Sequence, residues 1–344
     1  MSEYKKPPLP DSHENYLLND ITPGTISWKN RLIDLTKEYP EPIFLLEFNG
    51  VKFFTKGDIV VIKGKPKKGK SHLMIAYIVA LLSGEYIGMS RLNKVTKLLY
   101  VDCEMHANYT ALLTRKIHKA VGIDPKQNSN ELYVLNLKSD TPTERERIIE
   151  EAIHELNPDI VFIDGVKDIT RTEPNDQAEG KRIGEELKQW SAKYDCMIAI
   201  AIHENKNDSN ARGAVGAAVE EICSEVWRID RNNEGLFTAS QTLFRYHSPV
   251  ENLCFTMDEQ GTIQVAEAPP KISTEEKKLQ SMKFIFSEIF SHHKQFTFTG
   301  LQAEYMRIKQ VQKTAAYNAL MWAMDNKIVV KNLAQEYELS NLLQ

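Results

Sequence analysis

The sequence predicts an α/β protein with a mostly parallel, doubly wound sheet, followed by a small domain of different character. Within residues 21–265, short apolar runs of strand length alternate with longer segments of helical length. This alternation is typical of strands joined by crossover helices, which makes neighbouring strands parallel. Beyond residue 275 three helical patterns follow one another before a strand appears. The chain is therefore expected to contain one α/β domain and one smaller, mainly helical domain.

Composition limits the class of protein. The chain has 344 residues, of which 42% are hydrophobic and 26% charged, as in water-soluble globular proteins. Its net charge of -4 means that any contact with nucleic acid must come from local basic surfaces. No apolar run has the length of a membrane span, so no membrane contact is expected. The cysteines are widely spaced within apolar segments, a pattern that favours reduced thiols in a cytoplasmic protein. They are Cys103, Cys196, Cys223 and Cys254.

The first predicted elements are an arm and a hairpin. Residues 1–20 are polar and rich in proline, which predicts a flexible arm. Two apolar runs, 42–48 and 51–54, flank Asn49-Gly50. Because an Asn-Gly pair fits the two left-handed positions of a type I′ turn, these runs are expected to form a β-hairpin.

The next segment contains the most informative motif of the chain. Residues 64–71 read Gly-Lys-Pro-Lys-Lys-Gly-Lys-Ser and match the G-x-x-x-x-G-K-[ST] phosphate-binding loop. An apolar strand pattern at 58–63 precedes it, and a breaker-free helical pattern at 71–82 follows. Strand, loop and helix are the context that this motif requires. The sequence therefore predicts binding of a nucleoside triphosphate, by default ATP.

Each residue type in this motif has a physical reason. Gly64 and Gly69 allow backbone N–H groups to surround phosphate oxygens at a helix N-terminus, where the helix dipole favours anions. Lys70 is expected to contact the β- and γ-phosphates, and the Ser71 hydroxyl to ligate Mg²⁺. The full set of predicted nucleotide-contacting residues here is Gly64, Lys65, Pro66, Lys67, Lys68, Gly69, Lys70, Ser71 and His72.

The rest of the α/β domain continues the alternation of strands and helices. Strands are expected at 97–102, 132–136, 159–164 and 197–202, with shorter ones near 225–230, 236–245 and 252–257. Helices are expected near 107–121, 141–156 and 178–194. The second of these helices opens with Thr141-Pro-Thr-Glu144, a capping box with proline at the first helical position.

Two carboxylates follow strands of this predicted sheet. Asp164 ends the apolar strand Ile160-Val-Phe-Ile-Asp164, and Glu104 follows the strand that ends in Asp102. Parallel sheets place their sites at the carboxyl ends of strands, so both residues are expected beside the phosphate loop. Asp164 is predicted to hold Mg²⁺. Glu104 is the preferred candidate for polarising the attacking water, with Asp102 as its competitor.

This combination of motifs resembles the RecA-like hexameric ATPases, specifically the RepA-like replicative helicases of plasmids and mobile elements. The resemblance covers roughly residues 20–265 and implies a RecA-like P-loop NTPase core that uses ATP and Mg²⁺. It maps the catalytic glutamate of the family onto Glu104 and the Walker B aspartate onto Asp164. It further implies a homo-oligomeric ring, most simply a hexamer, that binds single-stranded DNA and cooperates with replication or mobilisation proteins.

Three further positions follow from the resemblance. His203, in His203-Glu-Asn-Lys206, corresponds to a sensor of the γ-phosphate. The loop after it faces the DNA channel in such proteins, which implies DNA contacts for Lys206, Asn207 and Arg212. Arg245 corresponds to an arginine finger that reaches the ATP of a neighbouring subunit. A strand-end histidine, a flexible polar loop and a surface arginine are the alternative interpretations.

The sequence departs from the family at two places. Lys67 stands where the phosphate loop of the family usually has glycine, so catalytic competence is less secure than nucleotide binding. Leu243 replaces the lysine of the Lys-x-Arg pair to which Arg245 belongs. The second departure weakens the assignment of Arg245 as an arginine finger.

The C-terminal part is expected to form a separate domain. Residues 266–275 are predicted as a linker and residues 276–344 as a winged helix-turn-helix-like domain. Its elements are expected at 276–291, 299–308, 311–326 and, as a strand, 327–331. Lys309 and Lys313 lie where a recognition helix would begin, which suggests DNA contact. A helical packing or oligomerisation module is the alternative.

Taken together, the sequence favours a DNA helicase or DNA-dependent ATPase that acts in replication or mobilisation of a plasmid or mobile element. A helicase loader or DNA-bound regulatory ATPase without unwinding activity is the first alternative. An interaction protein that holds ATP as a structural ligand is the second, and Glu104 argues against it because such a protein needs no catalytic carboxylate.

Overall fold

The computed structural model describes residues 32–173, 175–205, 209–268 and 274–340. The chain divides into two compact units, Met1–Ala268 and Pro269–Gln344. The predicted arm at 1–20, as well as Lys206 and Asn207, lies outside the described residues. All four cysteines fall inside the described ranges, and each is buried and free of disulfide bonds. None of the described helices combines the length and hydrophobicity that crossing a bilayer requires.

The first unit alternates strands and helices as expected. Its strands are β1 (Phe44–Phe48), β2 (Val51–Thr55), β3 (Ile59–Gly64), β4 (Glu85–Tyr86), β5 (Met89–Arg91), β6 (Leu98–Asp102), β7 (Leu132–Asn136), β8 (Ile160–Asp164), β9 (Met197–His203), β10 (Glu225–Arg231), β11 (Phe237–Phe244), β12 (Leu253–Met257) and β13 (Ile263–Val265). Its α-helices are α1 (Lys70–Ser83), α2 (Ala107–Ala120), α3 (Pro142–Leu156), α4 (Gln177–Tyr194) and α5 (Gly213–Ile222). A short 3-10 helix, Val166–Ile169, follows β8.

The large sheet has nine strands in the order β13-β12-β11-β10-β3-β9-β8-β6-β7. The six strands from β10 to β7 run parallel, and β11, β12 and β13 extend the sheet as antiparallel neighbours. The predicted α/β class with a mostly parallel sheet is therefore confirmed. In this order β9 lies between β3, which leads into the phosphate loop, and β8, which ends in Asp164.

The core lies on both faces of this sheet. Along β3, Val60 and Ile62 belong to the apolar cluster shared with α1, whereas Ile59 and Val61 belong to the cluster on the opposite face. Successive side chains of a strand point to opposite faces, so a strand covered on both sides is apolar throughout. This explains why the central strands read as continuous apolar runs and why the sequence located them well.

Several small elements were not predicted. The hairpin of β1 and β2 belongs to a separate four-stranded sheet, β2-β1-β5-β4, whose last two strands are only two and three residues long. Helix α5 was also missed, because two of its ten residues are glycine, which lowers helix propensity. A Cβ atom on Gly180 of α4 would lie 2.9 Å from the carbonyl oxygen of Ala214 in α5. The two helices thus pack at a distance that only small residues allow.

The second unit consists of α6 (Thr274–His292), α7 (Phe298–Lys309), α8 (Lys313–Asp325) and a hairpin of β14 (Val329–Lys331) and β15 (Tyr337–Leu339). Its core includes Phe286, Ile289, Leu301 and Leu320, all of them nearly inaccessible. The sequence predicts Lys309 and Lys313 around the start of the helix expected at 311–326. Lys309 is the last residue of α7, and Gln310 ends that helix in the left-handed conformation, so only Lys313 opens α8.

Candidate nucleotide-binding site

The phosphate loop lies at the carboxyl edge of the parallel strands. β3 ends at Gly64, α1 begins at Lys70, and the intervening residues form the connection. Gly69 has a φ of +106°, and a Cβ atom there would lie 2.5 Å from the Phe237 ring. A Cβ atom on Gly64 would lie 2.6 Å from the carbonyl oxygen of Ile229. Both glycines are therefore required by the local packing as well as by phosphate access.

Lys70 directs its ammonium group into the site. The residue is only 8% exposed, and its Nζ lies 3.0 Å from Nδ1 of His203 and 3.4 Å from the carbonyl oxygen of Gly64. Burial lowers the pKa of Lys70, and the nearby carboxylates of Asp164 and Glu104 oppose this effect. A buried cation at a helix N-terminus is well placed to bind phosphate oxygens.

Ser71 and Asp164 form the next pair. The Ser71 hydroxyl donates to Oδ2 of Asp164 at 2.5 Å, and the Tyr100 hydroxyl donates to the same oxygen at 3.4 Å. Burial raises the pKa of Asp164, while the bond from Ser71 lowers it. A hydroxyl and a carboxylate side by side are hard oxygen donors of the kind that Mg²⁺ prefers. These residues therefore fit the metal ion that the motif implies.

Glu104 is held by two basic groups. Its Oε1 lies 3.4 Å from Nε2 of His203 and 3.1 Å from Nζ of Lys167. The hydrogen bond with His203 and, next, the contact with Lys167 lower the pKa of Glu104 to about 2, although partial burial opposes them. His203 thus bridges Lys70 and Glu104, with one ring nitrogen near each.

A cavity of about 150 Å³ connects these groups. The predicted site residues on its wall are Lys70, Glu104, Asp164, His203 and Arg212. The sheet explains this convergence, because the carboxyl ends of β3, β9, β8 and β6 meet at one edge. Residues that are about 140 positions apart along the chain therefore line one small space.

The two competing candidates, Glu104 and Asp102, have different surroundings. Asp102 is inaccessible to solvent, and its Oδ1 accepts hydrogen bonds from the backbone N–H groups of Glu104 and Met105. Its Oδ2 accepts from the Thr110 hydroxyl at 2.5 Å. Asp102 is thus occupied in anchoring the segment that presents Glu104, whereas Glu104 faces the cavity.

The remaining residues of the phosphate loop take different positions. Pro66 and Lys67 are exposed, and Lys65 is half-buried. Nζ of Lys68 is 2.9 Å from Oδ1 of Asp230 and donates to the carbonyl oxygen of Arg231 at 2.5 Å. The additional lysine at position 68 is therefore paired with β10. The ring of His72 lies 5.6 Å from that of Phe237, and burial lowers the pKa of His72.

Among the described residues of the first unit, Arg245 was also predicted as a site residue but is not on the wall of this cavity. Arg245 follows β11, is exposed and donates to the carbonyl oxygen of Glu221 at 3.0 Å. Lys206 and Asn207 lie outside the described residues. Lys309 and Lys313 are exposed residues of the second unit.

Sequence reasoning missed Lys167 and Tyr100. Lys167 lies in the 3-10 helix that follows Asp164, and no motif spacing pointed to it. Its position three residues after a candidate metal ligand was the available signal. Tyr100 lies inside β6, where a buried aromatic residue is normally read as core.

Comparisons with known proteins found one family match and several similar structures. The family model described as an AAA domain matches residues 48–209. Among solved structures, the RadB recombinase is 17% identical, with a TM-score of 0.46 over 63% of this chain and 94% of that chain. A KaiC-like protein from the hyperthermophilic archaeon Pyrococcus horikoshii OT3 is 15% identical, with a TM-score of 0.46 over 62% and 91% of the respective chains.

A comparison with curated protein sequences found no match.

The segment that matches the family model, 48–209, begins at the end of β1 and extends past β9. It therefore includes the phosphate loop, Glu104, Asp164 and His203. The first unit is thus an α/β domain that contains a phosphate-loop motif, and residues 48–209 within it are similar to the AAA domain family.

Proposed function

We propose that this protein is a RecA-like ATPase that hydrolyses ATP with Mg²⁺ and couples hydrolysis to single-stranded DNA. The observation that supports this most strongly is the convergence of Lys70, Ser71, Asp164, Glu104 and His203 at one edge of the sheet. A site that only stored a nucleotide would need the phosphate loop but no carboxylate directed at the cavity. Glu104 is such a carboxylate.

In this mechanism Lys70 and the first N–H groups of α1 bind the phosphates. Ser71 and Asp164 would hold Mg²⁺, whose chemistry is to neutralise charge on the phosphate oxygens. Glu104 accepts a proton from the attacking water and orients it. His203 contacts both Lys70 and Glu104, which suits a residue that reports the state of the phosphates to the rest of the domain.

The segment after β9 offers a route to DNA. Glu204 and Ala211 form a β-bridge, and Asn205 N–H donates to the carbonyl oxygen of Asn210 at 3.0 Å, so the residues on either side of 206–208 are paired with each other. The N–H of Arg212 donates to the carbonyl oxygen of His203 at 2.8 Å. A polar, partly basic loop can follow a phosphate backbone without reading sequence. We assign this role to Lys206, Asn207 and Arg212.

The biological role that fits best is a RepA-like DNA helicase in replication or mobilisation of a plasmid or mobile element. It would act as a homo-oligomeric ring, most simply a hexamer, with Arg245 of one subunit completing the ATP site of the next. Residues 276–344 would act as a winged-helix-like domain that contacts DNA through Lys309 and Lys313. A module for protein contacts is the other assignment of that domain.

A helicase loader or regulatory ATPase without unwinding activity is the second candidate. Two observations favour it. Arg245 is bonded to the Glu221 carbonyl oxygen of its own chain, and Leu243 occupies the position of the partner lysine. Both features weaken the expectation of an efficient arginine finger, which normally accelerates turnover strongly.

Steady-state ATPase activity of the purified chain, with and without single-stranded DNA at low salt, tests the proposal. Strong stimulation by DNA supports a motor and justifies an unwinding assay. Basal activity that ignores DNA favours the loader or regulator. Lys70→Ala should abolish nucleotide binding, whereas Glu104→Gln should keep binding and lose turnover. Normal hydrolysis by Glu104→Gln would contradict the assignment of the base.

A further inference from the structure

The wall of the nucleotide cavity contains more positive groups than the phosphate loop supplies. Besides Lys70 it includes Lys167 and Arg212, which lie far from the loop in the sequence. The cavity encloses about 150 Å³, whereas sites for whole small-molecule ligands typically enclose about 300–1,000 Å³. A space of this size beside Lys70, Asp164 and Glu104 suits a terminal phosphate and the attacking water better than a base or a sugar. The two additional cations therefore lie where the γ-phosphate of ATP is expected.

These cations repel one another across the cavity. Burial is the largest cause of the lowered pKa of Lys70, and the positive charge of Lys167 adds to it. Burial and the charge of Arg212 also act to lower the pKa of Lys167, although its carboxylate neighbours, Glu104 and Asp168, outweigh them. Like charges that are gathered in one small space favour the binding of an anion.

Arg212 differs from Lys167 in its pairing. Nζ of Lys167 lies 3.1 Å from Oε1 of Glu104, so its charge is already used to hold that carboxylate. Glu204, which is close to Arg212 along the chain, binds Arg228 instead, at 2.7 Å. Among the residues that the structure describes, no carboxylate forms an ion pair with the Arg212 guanidinium. An unpaired arginine is ordinary on an open surface, but this one lines the cavity.

The backbone holds Arg212 beside the phosphate loop of its own chain. Its N–H donates to the carbonyl oxygen of His203 at 2.8 Å, at the end of the strand next to β3. Helix α5 begins directly after Arg212 and is tied to β3 near its other end, where Nζ of Lys63 lies 2.6 Å from Oε1 of Glu220. Lys63 immediately precedes the phosphate loop. Both contacts lie within one chain, so they fix the position of Arg212 relative to the nucleotide site of that chain.

We propose that Arg212 binds the γ-phosphate of the ATP held by its own chain and stabilises the transition state of hydrolysis. In this reaction the water oxygen bonds to the γ-phosphorus and the water proton passes to Glu104. The bond from the phosphorus to the β–γ bridging oxygen breaks, and its electron pair leaves with ADP. Negative charge is spread over the γ-phosphate oxygens, and a planar guanidinium can bind two of them at once. An arginine in this role is worth about 10³–10⁵ in turnover.

This inference rests on the proposed ATPase function and names a further catalytic residue for it. It offers an explanation of how the chain could hydrolyse ATP although Arg245 is bonded to the Glu221 carbonyl oxygen and Leu243 replaces its partner lysine. Arg212 also ends the segment to which we assign DNA contact. A strand bound there would change the position of the guanidinium, and a role in DNA contact alone is the competing assignment of this residue.

Nucleotide binding gives a readout that does not depend on turnover. The non-hydrolysable analogue AMP-PNP and ADP are titrated separately into the full chain, each with Mg²⁺. We expect Arg212→Gln to bind AMP-PNP at least about tenfold more weakly and ADP with unchanged affinity, because only AMP-PNP carries a γ-phosphate. Arg212→Lys keeps the charge but not the two-pronged contact and should lie between them. Arg147→Gln is the matched control, since this arginine of α3 is 73% exposed and does not line the cavity.

Turnover tests the catalytic part of the proposal. Without DNA, the kcat of Arg212→Gln should be at least about a hundredfold lower than that of the unmodified protein, whereas Arg147→Gln should be unchanged. Co-expression of Arg212→Gln chains with Lys70→Ala chains then tests whether the arginine acts within one chain. Each chain lacks a group in its own site, so we expect no recovery of hydrolysis.

Three results would overturn the proposal. The first is an Arg212→Gln variant that keeps its preference for AMP-PNP and its basal turnover. The second is a loss confined to stimulation by single-stranded DNA, which would leave Arg212 as a DNA contact only. The third is recovery of hydrolysis in the mixed oligomers, because the arginine would then serve a neighbouring subunit. If the unmodified chain binds AMP-PNP without hydrolysing ATP, the proposed function fails, whereas the binding comparison still tests the contact of Arg212 with the γ-phosphate.

Discussion

The Lys167→Met substitution tests whether Glu104 is restrained by its basic neighbours. In the structure Glu104 contacts His203 and Lys167, and its pKa is lowered to about 2. A general base works best when its pKa is near the working pH, so a carboxylate with such a low pKa is a weak base. Removing the Lys167 ammonium should make Glu104 a stronger one.

The size of the effect follows from the pKa. The difference between the ordinary value of 4.5 and about 2 corresponds to about 3.4 kcal/mol for the ionised form. The Glu104 side chain is 37% exposed, so solvent screening reduces the stabilisation of its ionised form to roughly 1–2 kcal/mol. The hydrogen bond with His203 contributes more to the lowered pKa of Glu104 than the contact with Lys167 does. Loss of Lys167 should therefore raise the pKa by about one unit, which allows at most about a tenfold increase in basal turnover.

The assay is the steady-state rate of ATP hydrolysis without DNA, compared between the unmodified protein and the variant. We expect Lys167→Met to hydrolyse ATP faster than the unmodified protein and to be stimulated less by single-stranded DNA. Lys167→Arg keeps the positive charge and is the matched control. Glu104→Gln in the same background should remove turnover, which would show that the gain acts through Glu104.

Stability provides a readout that does not depend on activity. Because folding lowers the pKa of Glu104, its contribution to the free energy of unfolding is present above about pH 4.5 and is lost as the pH falls towards 2. In Lys167→Met this loss should be smaller by about 1 kcal/mol. An unchanged pH dependence, or basal turnover as low as in Glu104→Gln, would refute the idea that Lys167 restrains the base.

Two further predictions concern stability. Gly69→Ala should lower the free energy of unfolding in urea by about 2–4 kcal/mol, because the new Cβ meets the Phe237 ring at 2.5 Å and φ is +106°. Gly122 has a φ of +77°, but an added Cβ atom there would meet no neighbouring atom, so Gly122→Ala should cost only about 1 kcal/mol. Equal losses of stability in the two variants would show that the contact with Phe237 is unimportant. Although burial opposes it, the bond with Glu225 raises the pKa of His247. Its stabilisation is thus present below about pH 6.5 and lost as the pH rises through the folded-state pKa, so His247→Gln should flatten the alkaline decline of thermal stability.

The sequence predicted the parts of the fold that depend on local pattern. β3 and β8 are buried on both faces, so their apolar runs were visible, and the capping box at Thr141 is present as expected. Strand order could not be read in this way, because it is set by long-range pairing. Helix α5 was missed because Gly213 and Gly216 lower its helix propensity, whereas in the fold its small side chains allow close packing against α4.

For the candidate site, the sequence indicated the residues within the motif but not those that tertiary contacts bring to it. Residues within a motif, such as Lys70 and Ser71, were identified because the motif fixes their spacing. Lys167 was not identified, because its contact with Glu104 joins two segments that are more than sixty positions apart in the sequence. Lys68 shows the reverse case: its place in the motif suggested a phosphate contact, but tertiary structure pairs it with Asp230.

The order of the strands supports the proposed role of His203 in coupling the nucleotide site to DNA. β9 lies between β3 and β8, so the residue at its end must lie between the phosphate loop and Asp164. Glu204, the next residue, is held by two hydrogen bonds. Its backbone N–H donates to the Gly64 carbonyl oxygen at 3.2 Å, and its carboxylate accepts from the Arg228 guanidinium at 2.7 Å. Displacement of Glu204 would therefore break the bonds to Gly64 and Arg228. A strand bound to the loop after Glu204 would therefore act first on His203, and through it on Lys70 and Glu104 together.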